Sequence, residues 1–353
     1  MTRQSELCTA ARARRAAAVL RMLLALSCLL LPTNTRPALA KPDAGNTLRI
    51  ATLAPRGSTL VTGFARLDAA LGQATAGAWR IQLYPSGVAG DESACLRKMR
   101  IGQLDGAALT SVGLSQVLRE LAVLTAPGAI DDYVQLERVQ AAMNREWAVR
   151  LADDGLMLLS WADIGQLRYF TKAPIYRPSD LRRQRPWVWP EAHTMKATWH
   201  ALGVTGVPLG VPEVYGALQT GIIDAVITTA LAVVALQWHA SLTHVTKRRH
   251  GPLVGGLVIN KPKWDGIPAG VRATLEQQIQ TNFTGENLNV RKNDEQAYQN
   301  LLRRGYTATA YTVEGEAEYQ QIAAKSRESL VGRVYSRELL DKVMKIARGV
   351  SGE

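Results

Sequence analysis

The chain has 353 residues, 47% hydrophobic and 20% charged, with 29 Gly, 15 Pro and no low-complexity run. This composition excludes a disordered or collagen-like polymer and leaves room for two domains with cores of their own. The formal charge of +12 raises nucleic acid or an anionic membrane as a partner. Six Arg and one Glu fall within the first forty residues, however, so 36 basic and 29 acidic side chains remain beyond them, with no aromatic interleaving of the basic runs. No nucleic-acid partner is expected.

Residues 1–40 read as a cleaved secretory signal. Arg12, Arg14, Arg15 and Arg21 precede the apolar run Met22–Leu31, and Ala38-Leu39-Ala40 offers a small-x-small cleavage site after Ala40. About ten apolar residues are half of what spans a bilayer, so a membrane anchor is the poorer reading. Ala25-Leu26-Ser27 before Cys28 is likewise a poor lipidation motif. Cys8 and Cys28 leave with this segment, and Cys95 alone forms no intramolecular disulfide and no thiolate zinc site. His193, His200, His239, His244 and His250 lack an HExxH motif or acidic partners at ligand spacing. Each reads as a surface or interface histidine, and no metal or other cofactor is expected.

The first expected element is a strand at Leu48–Leu53. Gly57-Ser58 then opens a helix with Leu60, Phe64, Leu67 and Leu71 on one face. Trp79, Ile81 and Leu83 alternate as a strand, Pro85-Ser86-Gly87 breaks the chain, Asp91–Arg100 is helical and Gly106–Thr110 is a short buried strand. Further strands are expected at Leu156–Trp161, Trp187–Trp189 and Ile222–Ile227, and a helix at Pro212–Thr220 with Gly221 at its C′ position. Strands alternating with helices imply an α/β fold around a parallel or mixed sheet covered on both faces. Pro268–Arg304 contains no internal proline; a continuous helix there would run about 55 Å at about 1.5 Å per residue and must lean on both domains.

No GxSxG, GxxxxGK[ST] or strand-borne GxGxxG motif is present, and Asp131-Asp132 and Asp153-Asp154 suit solvated or capping roles better than acid-base chemistry. An enzyme is not expected. Trp161, Trp187, Trp189, Trp199 and Trp238 all fall in the central third, a density that suits a packed core or an apolar ligand cleft.

Tyr84-Pro85-Ser86-Gly87-Val88-Ala89-Gly90-Asp91 followed by Arg100-Ile101-Gly102-Gln103-Leu104-Asp105 resembles the solute-binding proteins of tripartite ATP-independent periplasmic (TRAP) transporters. So do Ala201-Leu202-Gly203, then Pro212 through Asp224, and Val258-Ile259-Asn260-Lys261-Pro262-Lys263-Trp264, in collinear order over nearly the whole mature chain. The resemblance implies a two-lobe periplasmic binding protein that closes over a small-molecule ligand and delivers it to TRAP membrane subunits. Its domain crossings imply lobe I at 41–165 with 253–293 and lobe II at 166–252 with 294–353.

The family's usual ligand is a carboxylate held by an arginine, whose fork-shaped guanidinium matches it. In the corresponding segment Asp180–Pro190, counting forward from Asp180 puts Trp187 at that position, and counting back from Gly203 puts Val188 there. The family's asparagine after the VDG-type motif becomes Thr228, and a second ligand-side arginine survives as Arg168 with one extra residue before it. The Trp187-Val188-Trp189 form, with Leu236-Gln237-Trp238, resembles a branch that binds apolar or amphipathic ligands, some members with a periplasmic helical-repeat partner. The expected cleft is therefore lined by Trp187, Trp189, Arg168, Thr228, Trp161 and Trp238, with Asp91 from the first lobe. The alternatives are a receptor serving a sensor, and an organic-acid binder in which Arg185 replaces the lost clamp.

Overall fold

A computed structural model describes residues 46–349, and the secretory-signal expectation lies outside them. Strand β1 (Thr47–Thr52) leads into α1 (Thr59–Ala74), which starts where the Ser58 hydroxyl accepts from the Val61 N–H and buries Phe64, Leu67 and Leu71. β2 (Arg80–Tyr84), α2 (Glu92–Arg100) and β3 (Gly106–Thr110) follow, and both strands pair with β1 in parallel. The long helix α3 (Tyr133–Asp153) is N-capped by Asp132 and sets Leu136, Val139, Met143, Trp147 and Leu151 on its buried face. Asp132 thus caps a helix, as one of the two expected roles of that acidic pair.

β4 (Leu156–Thr171) runs ten residues beyond the expected Trp161 and connects two halves of an eight-stranded mixed sheet. Its residues 156–166 pair antiparallel with β9 (Pro252–Asn260), which also pairs with β3. From Leu167 onward it pairs instead with β7 (Ala225–Thr229), and at Phe170 and Thr171 with β8 (His244–Thr246). Just before this change of partner stands Gly165, at a register shift of the β9 pairing; its φ is +142°, and a Cβ there would stand 2.6 Å from the Asp294 carboxyl carbon. Only glycine fits this bend without strain.

Between β4 and β9 lie β5 (Trp187–Val188), α4 (His193–Leu202), β6 (Val207–Pro208), α5 (Val211–Thr220) and α6 (Ala230–Ala235). Gly221 ends α5 in the left-handed region, φ +72°, in the C′ role expected of it. After β9 comes the expected long helix. It consists of α7 (Ala269–Ile279), a π turn at Gln280–Thr284 and α8 (Glu286–Arg303), with right-handed backbone continuing through Gly285. α7 packs on α1, whereas α8 packs on β4 and α6, so one helical rod touches both halves.

The apolar residues divide accordingly. Leu48, Phe64 and Trp79 pack with Leu275 and Phe283 on one side of the first half-sheet, and Leu109, Met143 and Trp147 form the main core on the other. Phe170, Trp187, Trp189, Val214 and Trp238 belong to the second half, joined by Tyr298 and Leu301 of α8. The last elements are β10 (Thr307–Thr309), paired with β8, then α9 (Val313–Leu330), packed on α4, and α10 (Arg337–Ala347). The expectation that 294–353 follow the second lobe is corrected at its end. Leu339, Leu340, Val343 and Ala347 form the buried stripe of α10 and pack with the Met143 and Trp147 face of α3 in the first core.

Candidate functional site

Pro186 and Pro190 bracket the short β5 segment, and strand alternation puts Trp187 and Trp189 on one face with Val188 on the other. The two indoles stack with centroids 5.9 Å apart at 29°. Trp187 is anchored by Nε1, which donates to the Leu209 carbonyl at 2.8 Å, and its own carbonyl accepts from Trp199 Nε1 at 3.1 Å. Trp238 meets Trp187 edge-on at 5.6 Å. These contacts fix a rigid aromatic wall.

That wall borders a cavity of about 90 Å³. Trp187, Trp189 and Thr228 line it, together with Tyr169, Trp199 and Met195. Val112, Thr125 and Pro127 reach it from the segment after β3, and the Thr125 and Thr194 hydroxyls lie 3.1 Å apart at its side. No Lys, Arg, Asp or Glu among the described residues lines it. Drug-sized sites usually measure about 300–1,000 Å³, so admission of anything beyond a few heavy atoms requires the walls to part.

The other expected residues lie elsewhere. Along β4, Leu167 and Tyr169 line the cavity, while Arg168 lines a separate open, charged depression with Lys247, Arg249 and Glu295. Its guanidinium stands 4.1 Å from the Tyr298 ring centroid and donates to the carbonyls of Thr246 and Lys247. Trp161 donates through Nε1 to Asn144 at 2.7 Å and packs edge-on against Trp147, because its position on β4 faces α3. Trp238 is buried behind Trp187 rather than bordering the void. Asp91 accepts from the Ala94 N–H as the N-cap of α2 and lies beside Gly210, outside the cavity lining.

Arg185, expected as an alternative clamp, lies outside the cavity lining. Its Nε and Nη2 lie 3.1 and 3.0 Å from Asp224 Oδ2, its backbone N–H donates to Oδ1, and its side chain is 60% exposed. Asp224, which opens the turn into β7, therefore fixes it at the surface.

His250, expected as a surface or interface histidine, is partly buried at the cavity. Its ring borders the cavity and meets the ring edges of Tyr169 at 4.6 Å and Tyr319 at 5.1 Å. Burial, reinforced by Arg248 and Arg168, pushes its pKa down to about 3, so the imidazole is neutral at ordinary pH. Tyr169, Trp199 and Tyr319 also escaped the motif-based expectation. Trp199 carried a sequence signal in the tryptophan density, whereas Tyr319 comes from α9, far along the chain. Among the described residues no group of three His, Cys, Asp or Glu is placed to hold a metal ion, and no helix is long and apolar enough to cross a membrane.

Residues 50–331 match the family described as bacterial extracellular solute-binding protein, family 7. The chain is 25% identical over 303 residues to the C4-dicarboxylate-binding periplasmic protein DctP of Rhodobacter capsulatus, covering 84% of this chain and 89% of that one. In fold it is similar to a TRAP periplasmic solute-binding protein from Ralstonia eutropha crystallised with (S)-2-acetolactate, with a TM-score of 0.79, 20% identity and coverage of 86% and 99% of the two chains. A sugar-acid binding protein from Advenella mimigardefordensis in complex with galactonate superposes with a TM-score of 0.80 at 16% identity, covering 88% and 99%. The two-lobe architecture is shared with these structures.

Proposed function

Because the chain belongs to family 7 of the bacterial extracellular solute-binding proteins, we propose that it captures a small apolar or amphipathic solute between its lobes and delivers it to TRAP membrane subunits. Members of this family are periplasmic binding proteins rather than enzymes. TRAP-type solute binding follows from membership. The ligand class is inferred from the cavity, and cleavage after Ala40 supplies the route to the periplasm in this reading.

The observation that carries the ligand class is the wall made by Trp187 and Trp189 in a cavity that no Lys or Arg among the described residues lines. Relatives named for C4-dicarboxylate, acetolactate or galactonate take organic acids. Desolvating a carboxylate without a cationic partner is prohibitively costly in a closed site, and Arg185, the nearest substitute in the segment, is already engaged by Asp224. An indole wall instead favours apolar contact by about 25 cal/mol per Å² buried, or roughly 2.5 kcal/mol over about 100 Å².

In the same reading the lobes hinge where β4 changes partner, near Gly165, and where β9 begins, near Leu253. Ligand entry parts the walls that Val112 and Thr125 form with the Trp187 face, and closure removes water from the ligand. Thermal-shift screening tests the assignment, since a ligand that binds the folded state raises the melting temperature. Toluene-sized apolar and amphipathic compounds are expected to raise it, and succinate, malate and sialic acid to leave it unchanged. A shift with succinate and none with apolar compounds overturns the ligand class.

A further inference from the structure

We propose, on the basis of that apolar-ligand reading, that His250 is the polar pole of the cavity and selects an uncharged ligand carrying one hydroxyl or carbonyl oxygen on an apolar body. The chain places this imidazole tightly. Gly251 follows it with φ +91°, and a Cβ there would stand 2.4 Å from the Ile130 carbonyl oxygen. The His250 N–H donates to the Leu167 carbonyl at 2.8 Å, and the Leu167 N–H donates to the Gly251 carbonyl at 2.9 Å. The ring is thereby held beside Leu167 and Tyr169, two residues of the cavity wall.

Around the ring stand Tyr169, Tyr319 and, at 6.1 Å, Tyr311, all at steep angles. They restrict its rotation, and its buried Nε2 has no hydrogen-bond partner among the described residues. A buried ring nitrogen left unpaired is costly, and a ligand oxygen completes it. A hydroxyl oxygen serves either tautomer, accepting from N–H or donating to the bare nitrogen, and a carbonyl accepts from N–H.

The surroundings also exclude charge on the ligand. A neutral imidazole supplies no counter-charge for a carboxylate, and the positive charges of Arg248 and Arg168, close enough to act on the imidazole, oppose an ammonium. Trp187 and Trp189, which carry no charge, accept the apolar body.

Isothermal titration calorimetry with p-cresol, toluene, p-toluate and p-methylbenzylamine separates these possibilities. The wild-type protein is expected to bind p-cresol about tenfold more tightly than toluene, equivalent to about 1.4 kcal/mol. His250→Phe should abolish that preference while retaining toluene binding, and His250→Gln should preserve it. Equal affinity for p-cresol and toluene in the wild type, or a preference that survives in His250→Phe, overturns the role of His250 and leaves the apolar reading standing. Tighter binding of p-toluate or p-methylbenzylamine than of toluene overturns the apolar reading itself. Absence of binding by all four probes overturns both. Should His250→Phe fail to fold, the wild-type comparison and His250→Gln still decide.

Discussion

Asp224 holds Arg185 by both Nε and Nη2, at 3.1 and 3.0 Å, and thereby keeps this guanidinium at the surface, outside the cavity lining. Because the pair is largely exposed on the arginine side, it contributes little to stability, about 0–1 kcal/mol. Arg185→Ala is therefore expected to leave toluene affinity unchanged and to shift the urea midpoint only slightly. Loss of ligand binding in this variant would show that Arg185 reaches the ligand after all.

Gly165→Ala is expected to be strongly destabilising, by about 2–4 kcal/mol. The added Cβ would lie 2.6 Å from the Asp294 carboxyl carbon and 2.8 Å from Thr229 Cβ, at a φ of +142°. Asp294 has little freedom to withdraw, because its carboxylate accepts from the backbone N–H groups of Gln166 and Leu231, both at 2.9 Å. Equilibrium denaturation checks this, and a wild-type midpoint would mean that the bend of β4 is not fixed by this contact.

Glu92 gives the fold a pH dependence of definite sign. Its carboxylate, buried at 1% exposure, accepts from the Thr110 hydroxyl at 2.8 Å and from the Thr110 N–H, and burial pushes its pKa up to about 7 despite those bonds. The folded state then holds this proton more tightly than the unfolded chain, so its stabilising effect is complete below about pH 4.5 and is lost as pH rises through about 7. At about 1.36 kcal/mol per pKa unit the loss is about 3 kcal/mol. Urea titrations of wild type and Glu92→Gln at pH 4.5 and pH 8 should differ in this pH slope, the wild type losing more. Parallel slopes would remove Glu92 as the source.

Leu340→Ala should cost about 2–5 kcal/mol, since Leu340 is 1% exposed in the core that α10 shares with α3. Deletion of residues 332–353 should likewise expose the Met143 and Trp147 face and destabilise the first half-sheet. Near-native melting of either variant would show that α10 is dispensable to that core.

Much of the fold could be read locally, because caps and apolar spacing are local. Ser58 and Asp91 opened helices where expected, Gly221 closed one, and the stretch after Pro268 formed the long rod. The faces of individual side chains were less accessible. Trp187 and Trp189, two residues apart, necessarily share a face, whereas whether Trp161 looked toward the cavity or toward Trp147 depended on how β4 sits on α3. Arg168 shows the same limit, since alternation next to Leu167 and Tyr169 turned it away from the site. His250, Tyr169 and Tyr319 converge from β4, the segment before β9, and α9, and no spacing in the chain records that meeting. The amphipathic stripe of α10 was legible in principle; its partner, two hundred residues earlier, was not.

The central claim is that an indole-lined cavity without a cation holds an uncharged, predominantly apolar solute. Native mass spectrometry of protein purified from the periplasm without denaturation, followed by release and identification of the bound molecule, tests it most directly. The predicted result is a neutral apolar or amphipathic compound at near-equal occupancy, lost in Trp187→Ala together with Trp189→Ala. A C4-dicarboxylate or sugar acid occupying the wild-type protein, retained in that double variant, would contradict it.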